Sequence, residues 1–303
     1  MHVENLNGFS QFSKSEKINK ILAGFSYEQR ADYNKLIESF WYKDAEMQTK
    51  FDEFSENTLT NFYLPYGVIP CLKLNGHHYT VPMVTEESSV IAAASRAAKY
   101  WANRGGVHAE VIDTTKVGQV HFKWKGTHYE KLRQLLEQHR QALLASLNPL
   151  QESMQRRGGG VKNIELICHQ QVLSGHYQLL VTFETCDAMG ANFINTILES
   201  IAKEWKMIME TAPTLTAEER QVSIIMSILS NYTPDCLVSV WCECHIEELY
   251  DEKLEMSASE FAEKLKYAVD ISKVDKYRAV THNKGIMNGI DAVCLATGND
   301  FRA

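Results

Sequence analysis

Six prolines and sixteen glycines in 303 residues are too few for a collagen, a proline-rich linker or a low-complexity chain. No apolar run approaches the roughly 20 residues that a membrane helix needs, so no membrane span is expected. The opening MHVENLNGFS has neither the basic nor the apolar region of a secretory signal, and the cytoplasm is the expected compartment. The seven cysteines (Cys71, Cys168, Cys186, Cys236, Cys242, Cys244, Cys294) include no CxxC pair and no regular spacing, which points to free thiols. Positive charge is short as well. Lys and Arg number 31 against 38 Asp and Glu, and a net charge of -7 excludes a general binder of nucleic acid or anionic membrane. Familiar motifs are also absent: Walker A, GxSxG and HExxH do not occur, and Gly158-Gly159-Gly160 is not a dinucleotide fingerprint because it follows a helix.

What is present is an ordinary globular composition, 45% hydrophobic and 23% charged, at a length that suggests about two domains. Charge is uneven: Lys123 to Lys162 holds eight Lys or Arg against three Glu, a basic patch that suits one phosphorylated ligand. The first 55 residues read as amphipathic helix, with Ser26 and Gln29 at capping-box spacing. Asn75-Gly76 between two β-type runs predicts a tight hairpin. Thr85 is placed to cap a helix that runs to about Trp101, and Arg104-Gly105-Gly106 ends it.

From 107 to 230 the pattern predicts strands at 108–114 and 118–124, a helix at 127–146, a hairpin of 164–173 with 177–184, a helix at 190–209 and a strand at 221–230. The order is strand-helix-strand-strand-helix-strand, the split βαβ or ferredoxin-like pattern. The expected fold class is therefore α+β. Residues 107–230 form a small inserted domain, and residues 1–106 with 231–303 form a large domain. The second piece of the large domain adds a strand near 236–242, a helix near 257–269 and a glycine-rich segment of turns from Thr281 to Gly298.

Four segments carry more polar and glycine content than their apolar surroundings require. In TEESSVIAAAS (85–95), Glu86 and Glu87 either complement a helix dipole, worth about 0.3–1 kcal/mol, or one of them is desolvated into a proton donor. In DAMGAN (187–192), either Asp187 caps the following helix or Gly190 lets a phosphate approach free amides. In THNKGIMNG (281–289), Lys284 beside Gly285 is a solvated charge or a donor to an anionic centre. Asp300 in ATGND is, alone, a turn carboxylate. Cys242-Glu243-Cys244-His245 on alternating strand positions lacks a second ligand pair, so no metal is expected. His77, His78 and His169 read as ordinary strand or surface residues.

Taken together and in this order, ENTLTNFYLPYGV (56–68), VPMVTEESSVIAAAS (81–95), GGG (158–160), DAMGAN, ILSN (228–231), YRAVTHNKGIMNGIDAV and ATGNDFRA (277–303) resemble class II 3-hydroxy-3-methylglutaryl-CoA (HMG-CoA) reductase. The resemblance covers nearly the whole chain. It implies reduction of a thioester to an alcohol by two hydrides from a nicotinamide cofactor, giving mevalonate and free coenzyme A, or the reverse reaction. It also implies an acyl-CoA-binding large domain, a cofactor-binding small domain and an active site across a homodimer interface. By motif, Glu87 is the acid at the reacting oxygen, Lys284 the oxyanion donor, and Asp300 the group between them. Ser89, Arg278, Asn231 and Asn288 are the substrate contacts. Asp187, Met189, Gly190 and Asn192 line the cofactor site, and ENTLTN matches an interface element with Thr60 in place of a glycine.

Some positions depart from the family pattern. Ser88 stands where a proline is common, and Gln151 stands where NADH-using members carry an acid. Without that carboxylate a 2′-phosphate is not repelled, and Arg156, Arg157 or Lys162 can pair with it, so NADPH is favoured over NADH. The family continues past ATGND into a flap that bears a histidine, and none of the 11 histidines here follows His282. The expectation is a C-terminally incomplete chain, poorly soluble and self-associating; a monodisperse, cooperatively melting dimer would contradict it. The alternative to an active reductase is a non-catalytic CoA-binding or dimer-forming fragment of one.

Overall fold

The computed structural model describes residues 7–253 and 255–302. The first six residues of the segment read as helical, and Ala303 of the last matching stretch, lie outside the described residues. Along the chain come the helices α1 (Lys14–Leu22), α2 (Tyr27–Ser39) and α3 (Ala45–Asp52), the strands β1 (Tyr66–Leu74) and β2 (His77–Val84), and helix α4 (Ser88–Ala102). They are followed by β3 (His108–Thr114), β4 (Lys116–Trp124), α5 (Tyr129–Ser146), α6 (Asn148–Gln155), β5 (Gly160–Cys168) and β6 (His176–Glu184). The last are α7 (Ala191–Thr211), β7 (Val222–Ser230), β8 (Cys236–Trp241), α8 (Ala258–Val274) and α9 (Lys276–Ala296). The fold is mixed α+β, and among the described residues no helix is long and apolar enough to cross a membrane.

Two compact units divide the chain: Met1–Cys71 with Thr80–Lys99 and Glu263–Phe301, and Leu72–Tyr79 with Tyr100–Ala262 and Arg302–Ala303. In the first unit, capping boxes start two helices: Ser13 with Glu16 at α1, and Ser26 with Gln29 at α2. Asp44 caps α3 by accepting from the amides of Glu46 and Met47. Gln48 and Asn61, both buried, bond to each other, and Gln48 donates to Asp52, which Lys14 also holds at 2.8 Å. The apolar core here is thin. Among the described residues of this unit only Ile18, Leu22, Ile69, Met83, Ala98 and Ala292 are buried hydrophobics, and α2 and α8 bury nothing.

The second unit holds the main core. Its four-stranded sheet has the order β5-β6-β4-β7 with every neighbouring pair antiparallel. Numbered within the repeat, that is 2-3-1-4, the split βαβ arrangement. Alternate residues face the helices: Val120, Phe122 and Trp124 on β4, and Tyr177, Leu179, Val181 and Phe183 on β6. They pack against Leu132, Leu136 and Leu143 of α5 and against Ile194, Ile197, Leu198, Ile201 and Trp205 of α7, where helical spacing keeps the apolar residues on one side.

Three predicted elements differ in the structure. The strand at 108–114 exists but does not join this sheet. Only Thr115 separates it from β4, and a hairpin needs at least two loop residues, so β3 pairs instead with β8, the strand that leaves the module. Asp113 shapes that corner by accepting from the amides of Thr114 and Thr115 and from the Thr115 hydroxyl. The strand predicted through 173 ends at Cys168, because the His169 carbonyl turns back to accept from the amides of Val172 and Leu173. The third difference is α9. The glycine-rich run from Thr281 was expected to form turns, but it is the middle of a 21-residue helix. Gly285 and Gly289 each cost about 1 kcal/mol relative to alanine, and the remaining good helix formers outweigh them.

Candidate functional site

The first unit carries most of the proposed acyl-group residues. Glu86 and Glu87 precede α4 instead of opening it, and both are exposed. The Glu87 amide donates to the Thr85 hydroxyl at 3.3 Å, its carbonyl accepts from the Val90 amide, and its carboxylate accepts from the Ser89 hydroxyl. The EES stretch is thus a local turn in which Glu87 and Ser89 act as a pair. It does not bury Glu87 against the apolar run of α4.

Lys284 lies mid-way along α9, one turn before Asn288. With the Asn288 amide oriented to satisfy both neighbours, Lys284 Nζ donates to Asn288 Oδ1 and Asn288 Nδ2 donates to the Lys284 carbonyl, each at 3.1 Å. A cation on a flexible four-carbon stem is thereby given one direction. Arg278 is exposed in the first turn of the same helix, six residues or about 9 Å along the axis from Lys284. Asp300 is exposed beyond the helix end, where Gly298 at φ +70° lets the Asn299 amide return to the Cys294 carbonyl at 2.8 Å. Among the described residues no hydrogen bond or ion pair joins Glu87 to Lys284.

The second unit carries Asn231 and the proposed cofactor residues. Asn231 is exposed just after β7, inside a turn in which the Ser230 hydroxyl both accepts from the Tyr232 amide and donates to its carbonyl. Asp187, Met189 and Asn192 are exposed around the start of α7. Asp187 does not cap that helix: α7 begins at Ala191, three residues too late for it. The N-cap is Gly190 itself, at φ +81°, with no side-chain cap, so the amides of the first turn are open to an anion. A side chain at 190 has no room, since a Cβ there falls 2.5 Å from the Thr185 methyl. Thr185 is fully buried and donates to the Ala188 carbonyl at 2.6 Å.

Gln151, at 4% exposure, does not face solvent. Its Oε1 accepts from the Val161 amide at 3.0 Å, so it braces the Gly158–Gly160 turn from inside. Of the three bases near that turn, Lys162 is engaged with Thr115 at 2.6 Å and with Asp113 at 3.6 Å. Arg157 leans back on Ser153 and Met154. Arg156 is exposed, and among the described residues no hydrogen bond or ion pair engages its side chain.

Several features were not foreseen in the sequence. Thr114 donates to Glu184 at 2.6 Å, and Glu184 also accepts from the Cys186 amide at 2.7 Å. The Thr114 bond first, then the Cys186 amide and the charge of Lys162, hold the Glu184 carboxyl below the usual carboxylate range despite partial burial. On the open face of the sheet, His121 and His176 stack, with Nδ1 and Nε2 3.2 Å apart, and His169 lies tilted against His176. Burial, then the neighbouring imidazoles, push His121 and His176 below the ordinary histidine value. Cys242 to His245 follow β8 in irregular backbone, not on alternating strand positions, and burial, then Cys244, pushes the Cys242 thiol up. Among the described residues no three His, Cys, Asp or Glu side chains gather as a metal ion requires.

The family model for hydroxymethylglutaryl-coenzyme A reductase matches residues 18–303. A probable 3-hydroxy-3-methylglutaryl-coenzyme A reductase of Borreliella burgdorferi is 30% identical over 307 residues, across the whole of this chain and 65% of the relative. The Archaeoglobus fulgidus reductase is 28% identical over 98% of this chain and 62% of its own. The chain thus spans a little under two thirds of the length of these curated relatives. Among solved structures, the class II reductase from Streptococcus pneumoniae bound to NADPH in open conformations superposes with a TM-score of 0.73 at 35% identity, covering 99% of this chain and 76% of that one. A second structure of the Streptococcus pneumoniae enzyme gives 0.72 at 34% identity, covering 99% and 66%.

Proposed function

Because the chain belongs to the hydroxymethylglutaryl-coenzyme A reductase family, we propose that it reduces HMG-CoA to mevalonate and coenzyme A with NADPH, or runs the same reaction in reverse. The observation that carries the proposal is the family match over residues 18–303, within which Lys284 stands exposed on α9 one turn before Asn288. Reducing a thioester to an alcohol places negative charge on the former carbonyl oxygen twice. A preoriented cation at that oxygen is worth about 3–4 kcal/mol, and Lys284 is that cation. Glu87, paired with Ser89, holds the proton that neutralises the oxygen. Asp300 is proposed as the carboxylate between these two groups. Arg278 offers a planar fork to the free carboxylate of the acyl group, and Asn231 with Asn288 supplies polar contacts to the substrate.

Residues 107–230 are proposed as the cofactor module, and residues 1–106 with 231–303 as the acyl-CoA module. When bound, the nicotinamide supplies both hydrides. The open amides of the first turn of α7, with Gly190 at its start, suit the dinucleotide's phosphates, and Met189, Asn192 and Asp187 border them. Gln151 contributes by shaping the turn that presents Arg156, and Arg156 is the base best disposed toward a 2′-phosphate, which supports NADPH over NADH. A homodimer completes the site. The twelve residues from Lys284 to Ala296 advance the backbone by about 18 Å, a spacing that supports drawing Lys284 and Asp300 from different copies.

The test is Lys284→Ala in the full chain. Removal of the oxyanion donor lowers kcat by roughly 10²-fold or more while the KM for HMG-CoA changes little. A variant with near-normal kcat removes Lys284 from the proposal.

A further inference from the structure

Glu184 takes no part in the chemistry proposed above, yet it stands where the pieces of the proposed cofactor site meet. It is the last residue of β6, opposite Gly160 in the ladder with β5. Its carbonyl lies so close to the next turn that a Cβ on Gly159 would fall 2.5 Å from it. Its side chain uses both oxygens. One accepts from the Cys186 amide at 2.7 Å and the other from the Thr114 hydroxyl at 2.6 Å. Cys186 sits at φ +52°, a left-handed conformation that a residue with a Cβ adopts only when its surroundings hold it there. From that position its thiol donates to the Arg157 carbonyl at 3.1 Å. One chain of bonds therefore runs from the β3–β4 corner at Thr114 through Glu184 and Cys186 to the Arg156–Arg157 turn. The segment 186–190, which leads to the open amides of α7, hangs from its middle.

We propose that Glu184 is a positioning residue for the dinucleotide: it holds the 186–190 loop and the Arg156–Arg157 turn in one fixed spacing, so that the cofactor meets the α7 amides and Arg156 together. This rests on residues 107–230 being the cofactor module. Glu184 touches neither the cofactor nor the acyl group. Its loss therefore acts on cofactor affinity and leaves acyl-CoA affinity and the chemical step nearly intact. The carboxylate's two bonds are charge-assisted, and a left-handed Cys186 released from its partner relaxes toward the commoner backbone regions.

The test measures NADPH and HMG-CoA binding by the full chain, each by equilibrium titration, in the wild type and in Glu184→Ala, Glu184→Gln and Thr114→Val. Glu184→Ala weakens NADPH binding by roughly ten- to a hundredfold, with HMG-CoA binding changed less than about twofold, within the usual scatter of uncoupled sites. Glu184→Gln rescues it, because the amide keeps an acceptor for Cys186 and can donate to Thr114. Thr114→Val, which removes one bond only, gives a smaller loss in the same direction and serves as the test if the alanine variant does not fold. Equal NADPH binding by the wild type, Glu184→Ala and Thr114→Val overturns the proposal alone, as does a parallel loss for NADPH and HMG-CoA, the mark of general destabilisation. Failure of the wild type to bind NADPH or NADH overturns the assignment of the cofactor module, and this inference with it.

Discussion

Lys284 and Asn288 hold each other across one turn of α9, and the glycines beside them leave the surrounding surface bare. A Cβ at Gly285 or at Gly289 would meet nothing within 4 Å. If helix stability alone mattered, alanine would serve better at both, by about 1 kcal/mol each. Under the proposed function, that empty space receives the acyl substrate. Gly285→Ala should therefore raise Tm by about 2–4 °C while lowering kcat/KM for HMG-CoA by roughly tenfold or more, the cost of a methyl group pushed into a packed contact. A stabilised variant with unchanged kcat/KM would show that the space is not used. At this scale the sequence was most legible where function imposes short local words. THNKG, ATGND and DAMGAN can be read without knowing the fold. Glu184 and Thr114 could not be found that way, because they are 70 residues apart and only the fold brings them together. Gln151 was identified by its place before GGG, but its burial follows from packing under that turn.

Among the elements, those with a clean period were predicted with their type and place: the helices α5 and α7, the strands β4, β6 and β7, and the Asn75-Gly76 hairpin, whose φ values of +49° and +84° are those of a type I′ turn. The partner of β3 was not legible, since it depends on a one-residue connection and on a strand more than 120 residues away. The helix α9 was misread because glycine was given the weight of a breaker. The open face of the sheet was missed altogether, because His121, His169 and His176 come from separate stretches of sequence. That face carries a testable pH dependence. Burial and mutual repulsion lower the folded-state values of His121 and His176, with Lys123 and His169 the further cationic or titrating neighbours and Gln119 and Gln178 between them. The unfolded chain then binds more protons than the folded one, so stability rises with pH. The cost is nil well above about pH 6.5, grows as pH falls below that value, and levels off once pH is below the lowered folded-state values. Lowered carboxylates such as Asp113 and Glu184 act in the opposite range, losing their contribution only as pH falls below about 4. Thermal melts between pH 7.5 and 5 should therefore show Tm falling with pH, and His176→Gln should flatten the slope. An unchanged slope would remove the cluster from the explanation.

For the whole molecule, the contrast between enclosed and bare surface follows from where the apolar residues went. The four-stranded sheet with α5 and α7 encloses aromatic and branched side chains completely. The β3–β8 pair leaves Val111, Val238 and Val240 each more than 60% exposed, and α9 exposes Tyr277, Val280 and Ile286. Apolar surface of that extent is commonly covered by a partner, which fits the proposed homodimer. The measurement that tests the central claim most directly is oxidation of NADPH and of NADH, in parallel, by the 303-residue chain supplied with HMG-CoA, with mevalonate and free thiol quantified. The proposed function predicts HMG-CoA-dependent turnover that is faster with NADPH and consumes two cofactors for each mevalonate and each thiol released. No HMG-CoA-dependent oxidation of either cofactor would contradict it.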